Sequence, residues 1–153
     1  MLLAVSPFDL KEVLLAKHAQ HVVLVHFPIA LLLTGVAFDF AGQWLKKPIL
    51  SVVARYNLAI AAIATIPVIA TGLLAWQWQL EGHRLKGILL QHLVMGVLSS
   101  ILTWLVFWVH FRASRLPDQP ATGYRLPLEL IAALAVAVTA HLGGFLSGVN
   151  APG

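Results

Sequence analysis

The sequence predicts an all-α integral membrane protein, an up-down-up-down bundle of four helices preceded by a short interfacial helix. Three observations carry this expectation. Hydrophobic residues make up 59% of the chain and charged residues only 10%, against about 25% charged in ordinary soluble domains. Too few polar side chains exist to cover a water-facing surface, so the apolar surplus must face lipid. Four apolar stretches, near residues 21–44, 54–78, 87–111 and 126–146, each supply the ~20 residues a helix needs to cross hydrocarbon. Lys46-Lys47-Pro48, Glu81-Gly82-His83-Arg84 and Leu116-Pro117-Asp118-Gln119-Pro120 separate them, and such short or turn-rich linkers set consecutive helices side by side.

Residues 1–20 form the first expected unit and residues 21–153 the second. In the first, Ser6-Pro7-Phe8-Asp9 reads as an N-cap, a first-turn proline and an acidic residue in the first turn. Leu10, Val13, Leu14 and Lys17 then share one face, as in a helix lying on the membrane surface. Its expected role is that of an anchor or lid. A cleavable signal peptide is not expected, because a basic n-region is missing and the first long apolar run begins late. No internal repeat stands out.

The orientation follows from the basic residues. Lys46, Lys47, Arg55, Arg112, Arg115 and Arg125 fall on one side, and Lys11, Lys17, Arg84 and Lys86 on the other. This bias puts both termini and the loop after span two outside, on the periplasmic side of a bacterial inner membrane. Trp44, Trp104 and Trp108 then lie toward the inner interface and Trp76 and Trp78 at the outer one, as in an aromatic belt. The net charge of +4 belongs to such loops and does not indicate nucleic-acid binding. There are no cysteines, which excludes disulfides and thiolate ligation of metals.

Seven histidines are the most informative feature. His26 and His92 each lie five residues into their spans from the outer side, and His141 lies about five residues before span four exits there. At 1.5 Å per residue all three are roughly 8 Å below the outer boundary. Ionisable groups at that depth normally face a bundle interior or cavity. His92 shares a face with Gly96, Ser99 and Thr103, His26 with Ala30, Leu33 and Ala37, and His141 with Leu134 and Ala137, beside Gly143, Gly144 and Gly148. Small residues let helices approach or leave room for an inserted group. The expected site is therefore a cofactor or metal on His26, His92 and His141, two of which would ligate a haem.

Neutral imidazole is an axial ligand of b-type haem and also binds Zn, Cu or Fe. The carboxylates expected on the outer side, Asp9, Glu12 and Glu81, belong to surface segments, whereas a hydrolytic metal site often includes a carboxylate. Haem b is thus preferred to a bare transition metal ion. Arg84 and Lys86, with His21 or His83, would meet its propionates, and a second haem could use His21. Asp39, near the inner end of span one, is expected to pair with Arg55 or Lys46 in preference to serving as a proton-relay acid. Glu129 is expected to pair with Arg125 at the start of span four. Pro28, directly after His26-Phe27, would start or bend the helix and aim His26.

The segment His21-Val-Val-Leu-Val-His26-Phe-Pro-Ile-Ala-Leu resembles the opening signature of the domain of unknown function 2231 family of small bacterial membrane proteins. His141-Leu-Gly-Gly resembles its closing signature. Gln91-His92 and Ala70-Thr71-Gly72 fit its general pattern, so the resemblance runs from about His21 to Gly148. Val22 stands where the family often has proline, and Phe145 and Ser147 where it often has an acidic residue and a tyrosine. Association of such relatives with cytochrome-like domains implies haem and electron transfer by analogy alone.

Three readings follow. The first is a b-type haem electron-transfer module, exchanging electrons with a quinone or with membrane or periplasmic redox subunits. The second is a non-haem Zn, Cu or Fe site on the same histidines. The third is an assembly subunit whose histidines are structural. The sequence contains no Ser/His/Asp arrangement, phosphate-binding glycine loop or paired buried carboxylate. An accessory or electron-transfer subunit is therefore expected rather than a stand-alone enzyme.

Overall fold

The computed structural model describes residues 17–79, 81–82, 84–115 and 123–147, with the backbone alone at 17–19, 78 and 79. Four helices account for nearly all of them: α1 (Lys17–Trp44), α2 (Pro48–Gln79), α3 (Gly87–Arg115) and α4 (Arg125–Leu146). Each is long and apolar enough to cross a membrane. α1 packs on α2 and α4, and α3 packs on the same two helices, which leaves α1 and α3 diagonal. The most extensive packing lies within the hairpins α1–α2 and α3–α4.

Three boundaries differ from the sequence expectation by four residues or more, the end of α3 at Arg115 rather than Phe111 among them. α2 begins at Pro48 rather than Ala54, because proline is pre-organised for a first helical position where its missing N–H is no loss. α1 begins at Lys17, so residues 17–20 run straight into the first span. The rest of the expected interfacial helix, residues 1–16, lies outside the described residues.

The α1–α2 turn closes in three residues. Lys47 N–H reaches Gly42 O at 3.0 Å and Lys46 N–H reaches Gln43 O at 3.4 Å. With Lys46 at φ 54°, this is a Schellman ending. Close approach along the hairpin depends on glycine. A Cβ on Gly35 would come within 2.9 Å of Leu58, and one on Gly42 within 2.7 Å of Ser51 Oγ.

The core is narrow and runs along the axis: Leu32, Leu58, Ala61, Val106, Ala132 and Val136 are buried together. Large apolar residues such as Val23, Phe27, Ile63, Leu130 and Leu134 are exposed on the outside, as lipid-facing positions must be. Trp104, expected in the inner aromatic belt, donates from Nε1 to the buried Thr65 Oγ1 at 3.1 Å and ties α3 to α2.

An internal repeat is present after all. Leu32, Gly35, Asp39, Leu58, Ala61 and Thr65 are buried, and so is the residue a constant step further on, at Thr103, Val106, His110, Glu129, Ala132 and Val136. That step is the separation of His21 and His92. The bundle is therefore two equivalent hairpins running the same way through the membrane, a parallel repeat about an axis along the membrane normal. Gln20-His21 matches Gln91-His92, the run from Ile60 to Ala64 (Ile-Ala-Ala-Ile-Ala) matches that from Ile131 to Ala135 (Ile-Ala-Ala-Leu-Ala), and Gly72 matches Gly143. The remaining positions mostly face lipid, which accepts any apolar residue, so sequence identity is lost there.

Candidate functional site

The ionisable side chains inside the bundle collect at its two ends, with the buried hydroxyls of Thr65, Ser99 and Thr103 between them. At the end where α1 begins, His21 and His92 are half-buried, with ring centroids 6.4 Å apart and planes at 84°. Nδ1 of His21 donates to Val68 O of α2 at 3.1 Å, with Thr71 Oγ1 at 3.3 Å. Nδ1 of His92 donates to Thr139 O of α4 at 3.1 Å. Each carbonyl lies 47 residues after its histidine, so the repeat is kept in the hydrogen bonds. It is kept in the clearances too. A Cβ on Gly72 would come within 2.9 Å of the His21 ring, and one on Gly143 within 3.1 Å of the His92 ring. Each hairpin thus holds one imidazole between a glycine and a backbone carbonyl of its second helix. An Nδ1–H fixed by a carbonyl selects the tautomer whose Nε2 lone pair can bind a metal.

The three histidines expected to share a layer do not converge. His26 is exposed and donates from Nδ1 to Val22 O, one turn earlier on its own helix, at 2.6 Å. Its expected companions Ala30, Leu33 and Ala37 are exposed with it. His141 is also exposed, its ring edge-on to Phe145 at 5.0 Å. Of the three, only His92 faces the interior pair. Residues five apart on an α-helix point about 140° apart, so an inward His21 turns His26 outward. Likewise Gly143 meets the His92 ring, and a residue two positions away points about 160° from it, which turns His141 outward.

Gly96 lies one turn below His92 and packs toward Thr139, 3.9 Å from a would-be Cβ. Gly144 is half-buried, its carbonyl taken by Ser147 Oγ at 3.1 Å. Arg84 and Lys86 are exposed in the α2–α3 connection at this end. His83, Gly148 and the side chains of His18 and Trp78 lie outside the described residues.

At the opposite end, Asp39 of α1, His110 of α3 and Glu129 of α4 are buried together. Asp39 pairs with Arg125, not with Arg55 or Lys46 as expected, and also accepts from Gln43 Nε2 at 2.6 Å. α4 starts at Arg125 and crosses beside α1, which brings the guanidinium to Asp39. The expected Arg125–Glu129 pair is present at 3.5 Å. His110 Nε2 lies 2.5 Å from Glu129 Oε1 and 3.2 Å from Arg125 Nε. Glu129 Oε2 is buried without a hydrogen-bond partner. The ligand atoms of Asp39, His110 and Glu129 are within 4.8 Å of one another, close enough for a metal ion. The Arg125 guanidinium already supplies the positive charge there, so an added cation does not fit the cluster.

The sequence does carry a signal for the placement of Asp39 and His110. Asp39 follows His21, and His110 follows His92, by eighteen residues, which is about five helical turns. Each pair therefore shares one face, with one member near either end.

These features define a class: a membrane-spanning four-helix bundle with histidines on its axis. The chain belongs to the DUF2231 family of predicted membrane proteins, which it matches over residues 17–150. No curated protein and no solved structure matches it.

Proposed function

We propose that this protein is a membrane-embedded electron-transfer module that holds haem b between His21 and His92. The carrying observation is the pair itself: two imidazoles from equivalent positions of two hairpins, each oriented through Nδ1, with centroids 6.4 Å apart. With each Nδ1–H taken by a carbonyl, Nε2 of His21 and Nε2 of His92 would be the atoms left to hold the iron. The donor set, two neutral nitrogens with no carboxylate or thiolate among them, suits b-type haem. Haem supplies one-electron transfer when bound. The protein contributes ligand orientation through Val68 O and Thr139 O, an apolar surround, and the exposed cations Arg84 and Lys86 near the edge where propionates would emerge. With the basic-residue bias, the pair would lie toward the periplasmic face of a bacterial inner membrane, exchanging electrons with a quinone or a periplasmic or membrane redox subunit.

The test is an absorption spectrum of the detergent-purified protein, with haem supplied during expression. A Soret band that persists in His26→Ala and His141→Ala but is lost in His21→Ala and His92→Ala is the expected result. Stoichiometric Zn, Cu or Fe without a haem spectrum would select the bare-metal reading on the same two residues. Neither haem nor metal in wild-type protein would leave the histidines as structural groups and overturn the proposal.

A further inference from the structure

We infer that the Glu129–His110 pair is a proton-exchange site, opening to water through a cleft between α2 and α3 at the end opposite His21 and His92. The inference is independent of any metal at the histidine pair.

The argument begins with charge. The facing groups are Asp39 from α1, Arg55 from α2, His110 from α3, and Arg125 and Glu129 from α4. Arg125 is shared by Asp39 and Glu129 and its charge balances that of Asp39, while Arg55 lines the open cleft, where water screens it. The remaining carboxyl and imidazole touch at 2.5 Å and are neutral together when they hold one proton, on either partner. Losing that proton would leave a net negative charge inside the bundle, and gaining another a net positive one. Both are expensive in a low-dielectric interior. The pair therefore titrates as one unit carrying one transferable proton.

Two independent observations mark Glu129 and its neighbour as more than a packed ion cluster. Glu129 Oε2 is buried and makes no hydrogen bond, in a side chain only 1% exposed. A carboxylic acid can place its Oε1 hydroxyl toward His110 and leave Oε2 a neutral carbonyl oxygen, whose missing partner costs less than that of an ionised carboxylate oxygen in a dry site. In addition, an open cleft of about 160 Å³ is lined by Ser51, Arg55, His110, Ser114 and Arg125, large enough for several waters at about 30 Å³ each. His110 forms part of the cleft wall and also touches Glu129. A proton arriving on a cleft water is taken at His110 Nδ1, which otherwise accepts from Arg125 Nη2 at 3.2 Å, as Nε2 gives its own proton to Glu129 Oε1. Release reverses the two transfers. The proton is the sole species exchanged, and no oxidant or co-reactant is required.

The experiment is infrared spectroscopy of the full chain in lipid nanodiscs. Wild-type protein should show a protonated-carboxyl band that shifts in D2O and moves with 13C-glutamate but not with 13C-aspartate labelling. Glu129→Gln should abolish the band and Asp39→Asn should leave it. Ala113→Leu with Ser114→Leu, which narrows the cleft without altering a residue of the cluster, should slow hydrogen–deuterium exchange of the band several-fold. No such band at any pH in wild type, a band assigned to aspartate, or exchange unaffected by narrowing the cleft would overturn the inference. So would loss of the band on stoichiometric Zn²⁺ addition, since a metal site would then be there. The isotope labelling needs no substitution, so a variant that fails to fold does not shelter the proposal.

Discussion

The two ends of the bundle occupy equivalent positions of the same repeat and use them in opposite ways. At one end the repeat places histidine opposite histidine, and each is served by its own hairpin through a carbonyl and a glycine. At the other it places Asp39 opposite His110, and Leu58 opposite Glu129. The histidine end is symmetric and made of groups that can be neutral. The ionic end is asymmetric, and its partners come from both hairpins. Symmetry about an axis suits a group lying on that axis. Asymmetry suits charges that must compensate one another within the protein.

Substitutions can break or sharpen this contrast. The largest expected effect is at the ionic end. Arg125→Met removes the cation shared by Asp39 and Glu129 and should lower stability by about 3–5 kcal/mol, read as a fall in the unfolding midpoint in detergent. Adding Asp39→Asn should recover part of that loss, because the stranded charge is removed with its partner. Next come the glycines of the histidine end. Gly72→Ala drives a methyl to 2.9 Å of the His21 ring, and Gly143→Ala drives one to 3.1 Å of His92, so overpacking of about 1–3 kcal/mol is expected, larger at Gly72. Both should displace an imidazole, and on the proposed haem reading lower the Soret absorbance, while far-ultraviolet dichroism stays helical.

Smaller still are the histidines as structural groups. His21→Ala and His92→Ala should each cost about 0.6–1.7 kcal/mol for a lost interhelical hydrogen bond. The repeat predicts similar values in the metal-free protein, and thermal melts giving clearly unequal losses would argue against equivalent roles. The smallest effect lies outside both clusters. Lys46→Gly relieves a left-handed backbone position and should raise stability by up to about 1 kcal/mol, leaving spectra and proton exchange unchanged.

The fold was legible because the bilayer imposes a coarse rule: four apolar runs of sufficient length become four helices whatever their internal pattern. The site was only half legible. Depth along each helix singles out His26, His92 and His141 but carries no information on the direction each one faces. Direction was available from the residues too. The His21–Asp39 and His92–His110 spacings mark inward stripes, and the exposed run of His26, Ala30, Leu33 and Ala37 marks the lipid face of α1. Arg125 as the partner of Asp39 was not legible, since nothing local to α1 indicates which turn of α4 packs against it. The repeat was hidden because it survives mainly at packed positions, where a shared location matters more than a shared residue: Leu58 and Glu129 are both buried, yet have nothing chemical in common.

The constant step between the hairpins also bears on how the ionic end could arise. Two separate copies of the first hairpin, meeting about a two-fold axis, would set Asp39 against its own duplicate, and identical carboxylates repel. No single substitution in such a homodimer could answer one of them alone, because each change would appear twice. Joining the halves in one polypeptide removes that restriction. A histidine, an arginine and a glutamate can then stand in the second half without appearing in the first, and the molecule gains a direction that its duplicated architecture would otherwise deny it.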